Sequence, residues 1–455
     1  VVLDKIHNVT KSITAGAFAQ DSWSVMDKVT VNLGVRYDAQ FLYSSRGGTP
    51  FSLPNQWSPR IGAIYDPTQE GRAKVSVAFA RFYEGVPLDI ADRSLSRENS
   101  ISGTQRTGTA ANPCMTPLPG LPPTTQGPCL GEPRQAGNPV ADPNQRYTAG
   151  GAGSVPIDPN IKPQSSDEIV LVGEYEFIRD GRERLSYTKR WMNYVIEDMS
   201  RDEAATYFLG NPGYGIAKDF PKPKRDYDAV TVYLTKVFSD EWLAQLSYTA
   251  SYLRGNYAGL FRPETAQLNP NINSDFDLRS LLPNREGPLP GDRTHQIKLY
   301  GAKDWSVTPE HHLTTGLSLK GRSGTPTGYL GSHTLYGLDE TFILPRGSGE
   351  RTPWEFGADV QVGYRFNIDK DKTVQATIDI FNVFNFQAVT LKDNRYTASD
   401  VLPVAGGSRA ADGSIPGLRN DDNTPFDSTQ INPNFGRATA YQTPRVFRFG
   451  LRTTF

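Results

Sequence analysis

The chain has 455 residues, and its 48 Lys and Arg stand against 49 Asp and Glu, a formal net charge of −1. That balance lacks the basic excess with which nucleic-acid binders hold phosphate backbones, so nucleic acid is not an expected partner. Apolar residues reach only 37% and never run for eighteen positions, which excludes a transmembrane helix. A membrane is not excluded, because a transmembrane β-strand needs apolar residues only at alternate positions.

The chain begins VVLDKIHNVT, without a Met, a basic n-region or an apolar h-region, and reads as the interior of a longer polypeptide. The first predicted strand covers 12–25. The second, 28–44, is the most regular: Val29, Val31, Leu33, Val35, Tyr37, Ala39, Phe41 and Tyr43 share one face. Thr30, Asn32, Gly34, Arg36, Asp38 and Gln40 share the other, and period two over this length means strand. About eleven residues at ~3.3 Å each, tilted ~45°, cross an apolar band of roughly 25 Å.

Strands at 57–66 and 72–84 follow, and then a stretch of roughly eighty residues from Gly85 to Ser165. Within it lies NPCMTPLPGLPPTTQGPC, with the chain's two cysteines, Cys114 and Cys129. No neighbouring His or second Cys pair makes a zinc site, so a disulfide closing one loop in an oxidising compartment is the expectation, against two unpaired thiols. The glycines of TAGGAGS (148–154) lack a following helix pattern and read as loop.

Further strands are predicted at 166–178, 184–198, 226–238, 242–254, 293–305, 311–321, 353–367, 373–387 and 445–455. The strand 226–238 has apolar residues in both phases, and its facing stays open. Tyr37, Tyr43, Trp242, Tyr252, Trp305 and Trp354 fall near predicted strand ends, where interfacial girdles sit. The thirteen strands are joined alternately by short connections, such as SDE (239–241) and DKDK (369–372), and by long ones. Tight periplasmic turns alternating with long extracellular loops mark an outer-membrane barrel. The expected fold class is therefore all-β, a transmembrane antiparallel β-barrel, with 85–165 as its longest extracellular loop. Bacterial barrels have an even strand number, so thirteen are expected to be only the C-terminal part.

GAFAQDSWSV (16–25), VNLGVRYD (31–38), SPRIGAIYDP (58–67), DIFNVFNF (379–386) and RVFRFGLRTTF (445–455) together resemble the barrel of TonB-dependent receptors, most of all the Oar-like branch. The resemblance covers Ser12 to Phe455 with loops excepted. It implies a barrel of about 22 strands around an N-terminal plug, with residues 1–455 as its C-terminal portion and the plug and TonB box outside this sequence. It also implies a place in the bacterial outer membrane, coupling to the TonB–ExbB–ExbD system, and a terminal Phe455 read by the barrel-assembly machinery.

An arginine facing mid-membrane lipid costs about 2–4 kcal/mol. Arg36, Asp38, Arg60, Glu174, Asp359, Arg365, Asp379, Arg448 and Arg452 are therefore expected to face the lumen, as plug contacts or as a generic hydrated wall. No catalytic constellation is found: GxSxG, HExxH and Walker motifs are absent, and the adjacent His311 and His312 point to opposite faces of a strand. Asn271, Asn273, Asp275 and Asp277, at every second position of NPNINSDFD, are candidate calcium ligands lacking the glycine and distal Glu of an EF-type loop; a solvated polar loop is the rival. The expected function is active transport rather than catalysis, with long loops capturing an extracellular ligand, by loop size a peptide or protein. A passive porin or adhesin-like barrel is the alternative.

Overall fold

A computed structural model of the protein describes residues 9–44, 51–90, 99–103, 107–108, 127–128, 147–151, 155–265, 273–369 and 371–455. They divide into two compact units, one of Val1–Ala15, Ala39–Pro54 and Val86–Ile157, the other of Gly16–Asp38, Asn55–Gly85 and Asp158–Phe455. Thirteen long strands form one sheet in chain order. They are β1 (Lys11–Val25), β2 (Val29–Tyr43), β3 (Phe51–Tyr65), β4 (Ala73–Tyr83), β5 (Ser165–Ile178), β6 (Gly181–Tyr194) and β7 (Arg225–Ser239). β8 (Trp242–Gly255), β9 (His295–Ser306), β10 (His311–Arg322), β11 (Glu355–Asp369), β12 (Lys372–Phe381) and β13 (Val446–Thr454) complete it. From β3 onward each neighbouring pair is antiparallel.

The register aligns the apolar phases. Ala358, Leu319, Leu299, Leu246 and Leu234 form one row across β11 to β7. This settles the facing of β7: Val230, Val232 and Leu234 pair with Ala250, Tyr248 and Leu246 of the apolar face. The opposite phase carries Thr231, whose hydroxyl meets that of Thr249 at 3.0 Å, and Tyr227 and Tyr233, whose rings blurred the pattern in sequence. On β13 the apolar side chains stand bare, with Phe449 74% and Leu451 77% exposed. No helix among the described residues is long and apolar enough to cross a membrane, which says nothing of crossing by strands.

The short connections 26–28, 66–72, 179–180, 240–241 and 307–310 all follow odd-numbered strands and so share one end of the sheet. Met26, Asp27, Asp180, Asp240 and Glu241 have positive φ there, the backbone handedness that suits tight hairpins. Asp66 holds the 66–72 turn by accepting from the backbone N–H of Thr68, Gln69 and Gly71.

Some expected boundaries move. The predicted strand 184–198 ends at Tyr194, and Glu197–Ser200 instead forms a hairpin with Tyr207–Gly210. The DIFNVFNF strand stops at Phe381, because Asn382 and Asn385 turn left-handed (φ 51° and 54°). The Asn382 side chain accepts from Phe386 N and donates to Phe386 O and Thr443 O, local bonds that replace the ladder. Tyr37 lies in mid-strand against Trp57 (ring centroids 4.8 Å apart) rather than at a rim. Trp242 and Trp305 do sit at the short-turn end, with the ammonium groups of Lys236 and Lys303 over their rings.

The long connections of the larger unit pack on one another. Val195, Met199, Phe208, Ala217, Phe220, Tyr257 and Phe276 make one core, and Tyr329, Ile343, Leu344, Tyr396, Val401, Ile415 and Leu418 another. In the smaller unit Leu42, Leu53, Val86 and Ile90 are buried, and the Gln40 amide bonds both N and O of Val86 at 2.9 Å.

Candidate functional site

Alternation puts charged residues on the face opposite the apolar rows, and the register makes that face continuous. Asp359, Ser318, Tyr300, Gln245, Thr235 and Arg182 lie in one row across β11 to β6. The nine candidates are spread along it and mostly paired off. Arg36 bonds Asp38 at 2.7 Å, and a Cβ on Gly16 would stand 2.4 Å from the Asp38 carboxylate, so glycine makes room for the pair. Glu174 holds Lys74 (3.3 Å) and Arg182 (2.9 Å). Arg365 reaches Asp304 (3.4 Å), Arg448 reaches Asp379 (2.8 Å), and Asp359 accepts from the backbone of Asn382 (2.8 Å). Arg60 lies over the Phe82 ring, and Arg452 stands opposite Gln375.

At the long-loop end of this face lies a cavity of about 870 Å³ that sequence reasoning missed. Phe82, Arg190, Arg225, Tyr227 and Tyr257 line it with Glu84. The Arg190 guanidinium lies 5.1 Å from the Phe82 ring centre and donates to Ser166 Oγ. Arg225 donates to Ala258 O at 2.6 Å, and Gln164 bridges Glu84 and the Tyr257 hydroxyl. One arginine over an aromatic ring, with a second arginine among tyrosines, suits a ligand that offers both carboxylate and apolar surface. The only signal in sequence is an arginine in the polar phase at a strand end, a common arrangement.

The alternating set of NPNINSDFD does not converge on one point. Asp275 is fully buried between Arg285 (2.9 Å) and Arg346 (2.7 Å). Burial would raise its pKa, but the guanidiniums of Arg346, Arg285 and Arg262 outweigh it and hold the carboxyl below its ordinary range. Asn273 donates to Glu197 (3.2 Å), and Asp277 accepts from the Tyr336 hydroxyl (2.8 Å). Asn271, Cys114 and Cys129 lie outside the described residues. His311 reaches the Tyr364 hydroxyl and His312 faces Ser306, so their side chains do diverge.

Residues 4–169 match the family described as "TonB dependent receptor-like, beta-barrel". Over 98% of its length the chain is 50% identical to the TonB-dependent transporter Oar of Myxococcus xanthus, across 43% of that protein. The chain belongs to the TonB-dependent receptor family. Among solved structures, the ferric preacinetobactin receptor BauA of Acinetobacter baumannii is 12% identical, with a TM-score of 0.50 over 98% of this chain and 43% of that one. At that identity the likeness speaks for the fold alone. The ferripyoverdine receptor of the Pseudomonas aeruginosa outer membrane, also 12% identical, covers 98% of this chain and 39% of its own with a TM-score of 0.48, too low to add to that assignment. The chain spans less than half the length of these proteins. As a member of that family it is an outer-membrane β-barrel protein, with its sheet in the place of the barrel strands.

Proposed function

We propose that this chain supplies lumen wall and outer loops to an energised transporter, in which the long loops capture a ligand and TonB drives its passage past a plug. The apolar rows then meet lipid, and Arg36, Asp38, Arg60, Glu174, Asp359, Arg365, Asp379, Arg448 and Arg452 face the lumen or the plug. The observation that carries this reading is the cavity beneath the loops, on the charged face of the sheet, with Arg190 and Arg225 among Phe82, Tyr227 and Tyr257. A ligand arriving between the loops meets this cleft before the wall below it. Its chemistry suits a peptide or protein segment that carries carboxylates beside aromatic side chains.

The test uses cells carrying the full-length protein and a fluorescein-labelled peptide rich in Asp and Phe. Accumulation is expected only with functional TonB. Replacing Arg190 and Arg225 together by Ala is expected to lower uptake about tenfold, the equivalent of one charge-assisted hydrogen bond. Equal accumulation with and without TonB would overturn energy coupling in favour of a passive pore. Uptake indifferent to the two arginines would remove the cavity from the ligand's path.

A further inference from the structure

Two loops of the larger unit meet at three carboxylates that the family assignment leaves unexplained. Glu197 and Asp198 begin the short hairpin after β6, and Asp277 lies in the connection between β8 and β9. The loops are tied by Ser200 N donating to Asp277 O at 2.7 Å and by a bridge from Ser200 to Leu278. One carboxylate oxygen each from Glu197, Asp198 and Asp277 lies within 4.8 Å of the other two.

Burial makes this grouping unusual. Glu197 is 1% exposed and Asp277 7%. Each commits one oxygen to a protein donor: Glu197 Oε1 accepts from Asn273 Nδ2, and Asp277 Oδ2 accepts from Tyr336 Oη, which also bonds Tyr207 Oη. The second oxygens, Glu197 Oε2 and Asp277 Oδ1, are buried with no hydrogen-bond partner. No Lys or Arg among the described residues forms a salt bridge with Glu197 or Asp277. The neighbouring ionic cluster differs: Arg262, Arg285 and Arg346 are matched there by Asp275, Glu264 and Glu340.

A buried carboxylate without a counter-charge costs several kcal/mol, and Glu197 and Asp277 also feel the like charge of Asp198 beside them. Burial first, and then the adjacent acids, push the carboxyl groups of Glu197 and Asp277 well above their ordinary range. A divalent cation removes both penalties. Oxygens bound to one calcium at about 2.4 Å lie at most about 4.8 Å apart, and the three carboxylate oxygens here all lie within 4.8 Å of one another. An all-oxygen set on two separate loops suits calcium better than zinc, which favours nitrogen and sulfur, or magnesium, which demands a rigid octahedron.

We propose that Glu197, Asp198 and Asp277 bind a calcium ion that pins the 195–224 loop to the 256–294 loop. Of the alternating set in NPNINSDFD, only Asp277 takes part, and its partners come from VIEDMS, eighty residues upstream in sequence. The site stands apart from the transport reading and is tested without it.

Chelator-stripped full-length protein in detergent, titrated with calcium chloride in a calorimeter, is expected to bind about one calcium per chain at this site. The double variant E197Q/D277N is expected to weaken that binding at least tenfold, and calcium is expected to raise the unfolding temperature of the wild type only. Heat-modifiable gel mobility verifies that the variant is a folded barrel. If the variant does not fold, D198N alone serves, with the same loss of affinity expected. Binding unchanged in the folded variants would overturn the assignment. So would a wild type whose loop proteolysis and unfolding temperature are the same in calcium and in EDTA.

Discussion

Arg448 and Asp379 face each other across β13 and β12, and Arg448 Nε donates to Asp379 Oδ2 at 2.8 Å. Gln361, in the same row on β11, donates to the other oxygen at 2.6 Å. One carboxylate thus ties three strands on the polar face. One residue either way, Phe447 meets Ile380 and Phe449 meets Ile378 on the apolar face. The last strand therefore joins the sheet through two chemistries at once, and each can be probed separately.

On the polar face, a double-mutant cycle between Arg448→Gln and Asp379→Asn measures the pair. Arg448 is 65% exposed at its side chain, so solvent screens the interaction and a coupling of about 0.5 kcal/mol is expected from urea unfolding in detergent. A coupling above about 2 kcal/mol in the full-length protein would mean that this wall is dry, as when another element packs against it.

On the apolar face, Phe449→Arg puts a guanidinium where lipid is expected, at a cost of about 2–4 kcal/mol. Arg452→Gln, in the opposite phase, is expected to change stability by less than about 0.5 kcal/mol. Equilibrium folding into lipid vesicles measures both, and equal effects would reject the division of faces.

Asp275→Ala strips Arg285 and Arg346 of a shared, fully buried carboxylate. Removing one partner of a buried ion pair costs about 3–5 kcal/mol. The loss is expected in the loop layer, as faster hydrogen exchange in 273–294 and 337–347 with the strands still protected. Protection unchanged in those loops would show that the arginines find other partners.

Asp219 links the loops more superficially. Arg201 donates to both of its oxygens at 2.8 Å, and Arg279 adds a third contact. The hydrogen bonds from Arg201 chiefly lower its pKa, from an ordinary 3.8 to about 2. A carboxyl depressed by folding contributes stability above its unfolded pKa and loses it as pH falls through the folded one. Protease resistance of the 201–220 loop is thus expected to decline between pH 3.8 and about 2. Asp219→Asn is expected to flatten that decline, and an identical profile in the variant would assign it to other groups.

The sheet was largely legible because period-two alternation is a local property. Thirteen strands could be placed, and the phases of β2, β11 and β13 read directly from residues two apart. The overlong DIFNVFNF strand has a local cause too, since Asn382 bonds its own neighbours and ends β12. The facing of β7 stayed open in sequence because the rings of Tyr227 and Tyr233 hide its phase, and the pairing of Val232 with Tyr248 settles it. The loop layer was not legible. Its cores join Val195 to Phe276 and Tyr329 to Leu418, pairings between segments whose separate compositions look like solvated loop.

By itself, then, the amino-acid order determined which face of each regular strand is apolar and which is charged, since that needs only a residue's own neighbours and a period of two. Only the tertiary structure decided which charges meet. Asp275 and Asp277 look equivalent in NPNINSDFD, yet one lies among three arginines and the other beside Glu197 and Asp198. What a buried carboxylate does depends on the cations and dipoles within a few ångströms, and those come from distant parts of the chain.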